Sequence, residues 1–239
     1  MNTPEITKHL QLPYSFDEDS LVSNLSALMQ DHWMPHFNTE GYQGDWKVIP
    51  LFSLDGSLEN IYANPGSTGD LQETQALKAS PYFREVINTF KCKVLTARLL
   101  RLGAGAEIKP HTDHELGYEN NNFRIHIPIV TNDQIQFVLD GQLLKMKPGE
   151  CWYTNVNYVH SVKNDSDTDR VHLVIDYERN DWSDELFFSL APADSFRAQP
   201  KNEKSPEELK LIIAELKRQN QPYCEPFIRE LEEKLQRIQ

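Results

Sequence analysis

The chain has 239 residues, and its 36 acidic against 24 basic side chains give a net charge of −12. An acidic chain without a stripe of lysine and arginine repels phosphate backbones, which argues against nucleic acid as a partner. With 39% hydrophobic and 25% charged residues, the composition is that of a folded globular protein. A chain of this length forms one main domain with its own core.

The sequence predicts a cytoplasmic protein without a membrane partner. No apolar run approaches the roughly 18 residues that a membrane-spanning helix needs, and segment 1–14 lacks the apolar stretch of a signal peptide. The cysteines, Cys92, Cys151 and Cys224, lie far apart and form neither a CxxC motif nor a disulfide framework. We therefore expect free thiols in a reducing compartment.

Two helices are predicted in the first 90 residues. Ser15 and Glu18 have the spacing of a capping box, and apolar residues recur at helical spacing over 21–29. Ser80, followed by a proline, has the residue pattern of an N-cap before a second apolar stripe. The segment 41–74 between these helices carries turn signals and no predicted regular element.

From residue 94 onward the apolar pattern changes to a period of two, which is typical of strands. Asp140-Gly141 gives the strongest hairpin signal, because a type I′ turn needs a positive φ at both positions. Many short strands at this spacing suit a jelly roll, so the predicted fold is mainly β with flanking helices. The eight predicted strands are 94–102, 106–110, 123–130, 134–139, 142–147, 151–155, 158–163 and 170–177.

The pattern becomes helical again after Trp182. Ser205 is followed by the proline and glutamate of a helix start, and Pro222 breaks the helix before a last apolar stripe. This predicts a helical hairpin that packs on the main domain or on another subunit, or a small interaction module. We therefore expect a main β domain with N-terminal helices over 1–182, a helical extension over 183–239, and a dimer surface on that extension.

His111 and Asp113 stand two residues apart directly after a predicted strand. In an extended chain such residues point to the same side and can bind one metal ion, although an HxD pair alone is weak evidence. His160 lies near the start of the seventh predicted strand, and this strand is expected close to the second strand across the mouth of an eight-stranded roll. Two histidines and one carboxylate form the facial triad of non-haem Fe(II) oxygenases.

Three further residues favour the same site. Arg170 follows His160 by ten residues, and an arginine at the start of the last strand can form a bidentate pair with a dicarboxylate. Arg124 and His126 share one face of the strand after the HxD segment. Each has an ordinary alternative, such as a buried histidine, a structural ion pair of Arg124, or a surface pair of Arg170 with the acidic turn 165–169. One site explains all of them together.

The other histidines have plainer interpretations. His32 and His36 are spaced like a metal pair on a helix, but Pro35 between them would strain that helix, so no metal site is predicted there. His172 shares a face with Arg170 on the last strand. A contact behind the site and an ordinary core or surface position both remain open for His172.

The strand region resembles the aspartyl/asparaginyl β-hydroxylase family. These proteins are Fe(II)- and 2-oxoglutarate-dependent dioxygenases on a double-stranded β-helix, a cupin-like jelly roll, and they include bacterial hydroxylases of free proline. The resemblance covers about 94–178 in detail. It is carried by the segments 102–113, 123–129, 149–153, 159–164 and 169–174.

The resemblance implies a role for each site residue. His111, Asp113 and His160 would bind Fe(II) as the catalytic centre. Arg170 would pair with the distal carboxylate of the cosubstrate 2-oxoglutarate, and His126 would help to hold it. Oxygen is the other reactant, and succinate and CO2 are the co-products.

The same resemblance bears on the substrate. Arg124 would face the substrate and could bind its carboxylate, and Trp152 and the loop 114–122 are further candidate lining residues. Asp113 is present where the vertebrate members have glycine, so a full triad is expected and halogenation is disfavoured. The implied reaction is hydroxylation of an unactivated C–H bond of an amino acid, free, carrier-bound or in a peptide.

Two other classes of function remain open at this stage. The first is a non-catalytic cupin-like module that binds a metal or ligand. The second is a metal-dependent isomerase or hydrolase on the same roll, which would not need Arg170.

Overall fold

The computed structural model describes residues 4–28, 32–61, 70–113 and 115–198, together with eight residues of the C-terminal region. The chain divides into two compact units, Met1–Ala198 and Gln199–Gln239. The eight described residues of the second unit are all helical, and most of the predicted hairpin, with Cys224, lies outside the described residues. Those eight are Lys210, Ile213, Ala214, Lys217, Arg229, Glu232, Leu235 and Gln236.

The described part of the first unit is mainly β. Its strands are β1 His9–Ser15, β2 Met34–Pro35, β3 Tyr42–Gln43, β4 Trp46–Pro50, β5 Phe52–Ser53, β6 Gln72–Glu73, β7 Val94–Leu102, β8 Glu107–His111, β9 Asn122–Val130, β10 Ile135–Leu139, β11 Gln142–Leu144, β12 Glu150–Thr154, β13 His160–Asn164 and β14 Arg170–Glu178. Its helices are α1 Glu18–Ser26, α2 Gln75–Lys78, α3 Pro81–Asn88 and α4 Asp181–Leu190.

Two antiparallel sheets form the jelly roll that the sequence predicts. The larger has seven strands in the order β1-β12-β9-β14-β7-β4-β2, and the smaller has five in the order β11-β10-β13-β8-β3. All eight strands predicted after residue 94 are present, with ends that differ by at most a few residues. The second and seventh of them, β8 and β13, pair directly, which confirms that they lie side by side.

Residues alternate between two environments along the central strands of the larger sheet. On β9, Phe123, Ile125 and Ile127 are fully buried in the core that the helices cover. Arg124 and His126, on the same strand, face the interior of the roll and line its cavity. A period of two therefore places an apolar core and a polar cavity on opposite faces of one strand.

The predicted hairpin between β10 and β11 is confirmed. Asp140 and Gly141 both have positive φ, 48° and 78°. Leu139 pairs with Gln142 across this two-residue loop. A turn of this kind continues the right-handed twist of the two strands without splaying them.

The N-terminal segment differs from the prediction. Residues His9–Ser15 form strand β1, which pairs with β12 at the edge of the larger sheet. Ser15 is therefore extended, and the cap of α1 is Asp17, whose side chain accepts from the N–H of Ser20 at 2.8 Å. The capping box predicted from Ser15 and Glu18 is wrong by two residues, because pairing with β12 holds the chain extended up to Ser15.

The helix α4 belongs to the first unit. Its Phe187 and the following Phe196 lie in the same core as the central strands. The predicted boundary at 182/183 therefore cuts through packed structure, and the two compact units separate after Ala198. That the residues beyond form a separate helical extension with a dimer surface stays a prediction.

None of the described helices is long and apolar enough to cross a membrane.

We expect Gly149→Ala to destabilise the fold more than Gly141→Ala. Both glycines have positive φ, 72° and 78°, and alanine in this region costs about 1 kcal/mol. A Cβ at position 141 meets no atom within 4 Å, whereas one at 149 collides with the carbonyl oxygen of Phe16. The loss in free energy of unfolding, measured with urea, should be about 1 kcal/mol at 141 and at least about 2 kcal/mol at 149. Equal losses at both positions would contradict this account.

Candidate metal centre

The three residues predicted to bind a metal come together at one end of the roll. One ligand atom from each of His111, Asp113 and His160 lies within 4.8 Å of the others. His111 and His160 are direct cross-strand partners on β8 and β13, and their ring centroids are 4.2 Å apart. The pairing of the second and seventh predicted strands therefore creates the cluster.

Main-chain carbonyls fix the orientation of both imidazoles. The Nδ1 of His111 donates to the carbonyl oxygen of Lys109 at 2.8 Å, and the Nδ1 of His160 donates to that of Tyr158 at 3.0 Å. These bonds place the protons on Nδ1 and leave both Nε2 lone pairs free. Burial, followed by the neighbouring His111, lowers the pKa of His160 to about 4, which keeps this imidazole neutral.

Asp113 is held from two sides. Its backbone N–H donates to the carbonyl oxygen of Val156 at 2.9 Å, and its Oδ2 accepts a short hydrogen bond from Nη1 of Arg124. Its Oδ1 lies 3.8 Å from Nε2 of His111. Burial by itself raises the pKa of Asp113, but Arg124 and the two imidazoles outweigh burial and lower that pKa to about 2.

Arg124 also forms a buried ion pair with Asp176, its cross-strand partner on β14. Its Nε and Nη2 donate to the two Asp176 oxygens at 2.7 and 3.0 Å. Thr96 on β7 donates its hydroxyl to the same carboxylate at 2.8 Å. The three N–H groups of Arg124 named here thus all donate to carboxylates of the protein, which leaves this guanidinium little capacity for a further anion.

Arg98 lies beside this network and was not singled out by the sequence. It lines the same cavity, and its Nη2 is 3.6 Å from Asp176, too long for a good hydrogen bond. Its buried Nε has no partner among the described residues. Arg98 follows Thr96 by two on β7, so the alternation that placed Arg124 and His126 would have placed Arg98 on the cavity side as well.

Arg170 and His126 line the cavity as well, and His172 lies directly behind Arg170. Arg170 is 2% exposed, and burial lowers its pKa to about 9. Its Nη2 donates to Nδ1 of His172 at 2.8 Å. Three buried nitrogen atoms have no hydrogen-bond partner among the described residues: both ring nitrogens of His126 and the Nε of Arg170. Such orphaned polar atoms are costly unless a ligand or an ordered water satisfies them.

His36 lies at the cavity as well, but not as a metal ligand. Residues Met34–Pro35 form a strand, so His32 and His36 are not on one helix. The ring of His36 stacks on Trp46 at a centroid distance of 3.5 Å, and its Nδ1 accepts from the N–H of Asn38 at 3.3 Å. Burial, followed by Arg98, lowers the pKa of His36 to about 3, so its imidazole is neutral.

One cavity of about 290 Å³ is lined by the triad together with His36, His126 and Arg170. Its polar lining includes the triad with Arg98, Arg124, His126, Arg170 and Asp176, and its apolar lining includes Leu100, Ile108, Phe137 and Val162. Ligand sites commonly occupy about 300–1,000 Å³. The cavity is therefore at the small end of this range.

Trp152 does not line the cavity, contrary to the sequence-based expectation. Its indole N–H donates to Glu150 at 2.8 Å, and its ring meets His9 edge-on. Of the candidate loop 114–122, Leu116 is the described residue that lines the cavity. These contacts with Glu150 and His9 hold the ring of Trp152 outside the cavity.

Comparison with known proteins identifies the family. A family model for aspartyl/asparaginyl β-hydroxylases matches residues 16–180, which is more than half of the chain. The chain belongs to the aspartyl/asparaginyl β-hydroxylase family. The matched segment includes all the strands that carry the triad and its neighbours.

Two bacterial enzymes are among the curated proteins with sequence similarity to this member of the β-hydroxylase family. L-proline cis-4-hydroxylase of Rhizobium meliloti (strain 1021) is 27% identical over 175 residues, 72% of this chain and 61% of the relative. L-proline cis-3-hydroxylase 2 of a Streptomyces species is 25% identical over 172 residues, 71% of this chain and 59% of the relative. The chain therefore spans about three fifths of the length of these relatives.

The fold is also that of a solved structure with low sequence identity. An oxidoreductase of the 2OG-Fe(II) oxygenase family from Burkholderia pseudomallei matches with a TM-score of 0.50 and 15% identity, over 72% of this chain and 86% of that one. This likeness supports the jelly-roll fold of this family member.

Asp176→Asn should lower the free energy of unfolding by about 3–5 kcal/mol. The substitution removes the charge that balances buried Arg124 and turns one acceptor into a donor facing it. Asp45→Asn is the matched control, because Asp45 pairs with Arg101 at 2.9 Å while 46% of its side chain is exposed. There we expect less than about 1 kcal/mol. Similar losses for both variants in urea unfolding would contradict the role given to Asp176.

Proposed function

We propose that this chain is an Fe(II)- and 2-oxoglutarate-dependent dioxygenase that hydroxylates an amino acid bearing a carboxylate and releases succinate and CO2. The observation that carries the proposal is the unbalanced buried cation, Arg170. It is 2% exposed and has no carboxylate partner among the described residues. Burial of an unpaired charge is costly, so a bound dicarboxylate is the natural counter-ion.

The residues present fit Fe(II). Two imidazoles with free Nε2 atoms and one carboxylate oxygen lie within 4.8 Å of one another. Nitrogen and oxygen ligands in this 2-His-1-carboxylate set are characteristic of non-haem Fe(II), and the set leaves open positions. The low pKa values of His160 and Asp113 keep both ready to bind a cation without first losing a proton. His111, Asp113 and His160 would therefore hold the iron.

When bound here, Fe(II), 2-oxoglutarate and O2 supply the oxidising chemistry that converts a C–H bond into C–OH. The residues of the chain bind and orient the reactants. Arg170 would pair with the distal carboxylate of 2-oxoglutarate. His126, whose ring nitrogens have no partner among the described residues, lines the same cavity. Leu100, Ile108 and Val162 form an apolar wall that excludes water.

The charge of the cavity favours a substrate with a carboxylate. Three guanidinium groups line it, on Arg98, Arg124 and Arg170, against the carboxylates of Asp113 and Asp176. Fe(II) adds two positive charges and 2-oxoglutarate two negative ones. With the imidazoles neutral, one positive charge remains, and a single substrate carboxylate would balance it.

Arg98 is the better placed anchor for that carboxylate. Arg124, which the sequence suggested, already donates to Asp113 and to both oxygens of Asp176. Arg98 has a buried Nε without a partner among the described residues and only a 3.6 Å approach to Asp176. We therefore assign the substrate carboxylate to Arg98, with Arg124 as the residue that positions Asp113.

The size of the cavity and the names of the relatives favour a small free amino acid. A volume of about 290 Å³ must accommodate both cosubstrate and substrate. The two relatives are L-proline hydroxylases that differ in the carbon they modify, so proline and similar amino acids are the first candidates. Carrier-bound and peptidic substrates are the alternatives. A cytoplasmic location and a homodimer through the second unit stay predictions.

His111→Ala should abolish succinate formation, because it removes one of the three metal ligands. The measurement is release of succinate from 2-oxoglutarate with Fe(II) and O2, over a panel of amino acids and short peptides, with product detected as the gain of one oxygen atom in mass. His9→Ala is the control, since His9 contacts Trp152 outside the cavity. Its activity should equal that of the wild type.

Three results, from that experiment and from the same assay of Arg170→Ala, would contradict the proposal. Wild-type turnover by His111→Ala would exclude the triad. A wild-type protein that binds metal but consumes no oxygen would indicate a non-catalytic cupin-like module. A metal-dependent activity that is insensitive to Arg170→Ala would indicate an isomerase or hydrolase.

Arg98→Gln should raise the substrate KM roughly 10- to 100-fold, because the substrate carboxylate would lose one or two charge-assisted hydrogen bonds. The KM for 2-oxoglutarate should stay unchanged, because Arg170 binds its carboxylate. Arg101→Gln is the control on the same strand, since Arg101 pairs with Asp45 at 2.9 Å and does not line the cavity. An unchanged substrate KM in Arg98→Gln would indicate that Arg124, and not Arg98, binds the substrate carboxylate.

A further inference from the structure

His172 makes a direct hydrogen bond to Arg170 inside the roll. The Nη2 of Arg170 donates to Nδ1 of His172 at 2.8 Å, and the two residues are 2% and 1% exposed. They stand two apart on β14, so both face the interior. Among the described residues, this is the hydrogen bond that the Arg170 guanidinium makes.

The arrangement determines the protonation of His172. A guanidinium has five N–H donors and no acceptor, so Nδ1 of His172 must carry a lone pair and its proton must sit on Nε2. Burial, followed by the charge of Arg170, holds the pKa of His172 well below its ordinary value. The imidazole is therefore neutral and serves as an acceptor.

A second cavity of about 90 Å³ lies next to this imidazole. His172 lines it together with Asn132, Lys145 and Met146, and Nε2 of His172 is buried without a partner among the described residues. A space of this size holds about three water molecules at the volume per water of the liquid. His172 therefore borders a space lined by both polar and apolar residues, which is distinct from the cavity that holds the triad.

A neutral acceptor is suited to orient Arg170 without cancelling its charge. An aspartate in this place would form an ion pair with Arg170 and compete with an incoming carboxylate. An apolar residue would remove this acceptor and leave the guanidinium less well oriented. The Phe137 ring, whose centroid is 6.0 Å from Cζ of Arg170, offers only a cation–π contact, which does not fix the rotation of the group. The imidazole fixes one edge of the fork and leaves the remaining N–H groups for a ligand.

We infer that His172 is a positioning residue that orients the Arg170 guanidinium for the distal carboxylate of 2-oxoglutarate. The inference rests on the proposed function, because it takes 2-oxoglutarate as the ligand of Arg170. His172 would therefore affect the affinity for 2-oxoglutarate and would not contact the amino-acid substrate.

The test measures anaerobic binding of 2-oxoglutarate to the Fe(II)-loaded full chain by calorimetry, in His172→Leu, His172→Asn and His172→Gln. Leucine removes the acceptor and should raise the Kd roughly 10- to 100-fold. Asparagine places its Oδ1 near the position of Nδ1, so the Kd should stay within about threefold of the wild type. Glutamine places its amide one bond further out, away from the position of Nδ1, so His172→Gln should bind 2-oxoglutarate as weakly as His172→Leu does. This polar variant replaces His172→Leu in the comparison if the leucine variant does not fold.

Oxalate is the matched probe, because it chelates a metal through two carboxylates and has no distal carboxylate for Arg170. Its Kd should be the same in all three variants and in the wild type. A structural defect at His172 would weaken oxalate and 2-oxoglutarate together, and that result would overturn the inference.

Other outcomes separate the inference from the proposed function. If wild-type protein binds no 2-oxoglutarate, the proposed function fails. If wild-type protein binds it, Arg170→Leu loses it, and His172→Leu binds like the wild type, only the inference fails. A Kd in His172→Asn as high as in His172→Leu would also overturn it, because the acceptor at Nδ1 would then have no effect.

Discussion

The buried guanidinium of Arg124 connects the candidate metal centre to the centre of the larger sheet. It spans from Asp176 on β14 to Asp113 beyond the end of β8, and so links the two sheets of the roll. An ion pair of this kind is retained only when its geometry satisfies both partners, since desolvation of the charges is costly. The position of Asp113 therefore depends on strands that lie far from it in sequence.

Much of this organisation follows from strand periodicity. Side chains at alternate positions point to opposite faces, so the pattern around Arg124 and His126 showed which residues share the cavity side. The pairing of β8 with β13 brings His111 and His160 together, as expected for neighbouring strands of a roll. These inferences succeeded because they needed only local pattern and the general topology of an eight-stranded sheet.

Other parts of the site could not be read in the same way. The ion pair of Arg124 with Asp176 joins residues 52 positions apart, and the Nε of Arg98 has no partner among the described residues. One sequence does not reveal which buried charges are already paired. The aromatic ring of Trp152 was expected in the cavity, but a hydrogen bond to Glu150 holds it elsewhere. Strand β1 has alternating residues, and its pairing with β12 at the edge of the larger sheet overrode a plausible helix cap at Ser15.

The hydrogen bonds that orient the two histidines have a consequence for sequence variation. Both acceptors are main-chain carbonyls, of Lys109 and Tyr158, which exist whatever side chain occupies those positions. The tautomers of His111 and His160 are thus encoded by backbone shape and not by a carboxylate or amide partner. Substitution of the side chains at 109 and 158 would leave both acceptors in place, so the orientation of the two imidazoles in the candidate metal centre should tolerate sequence change at these positions.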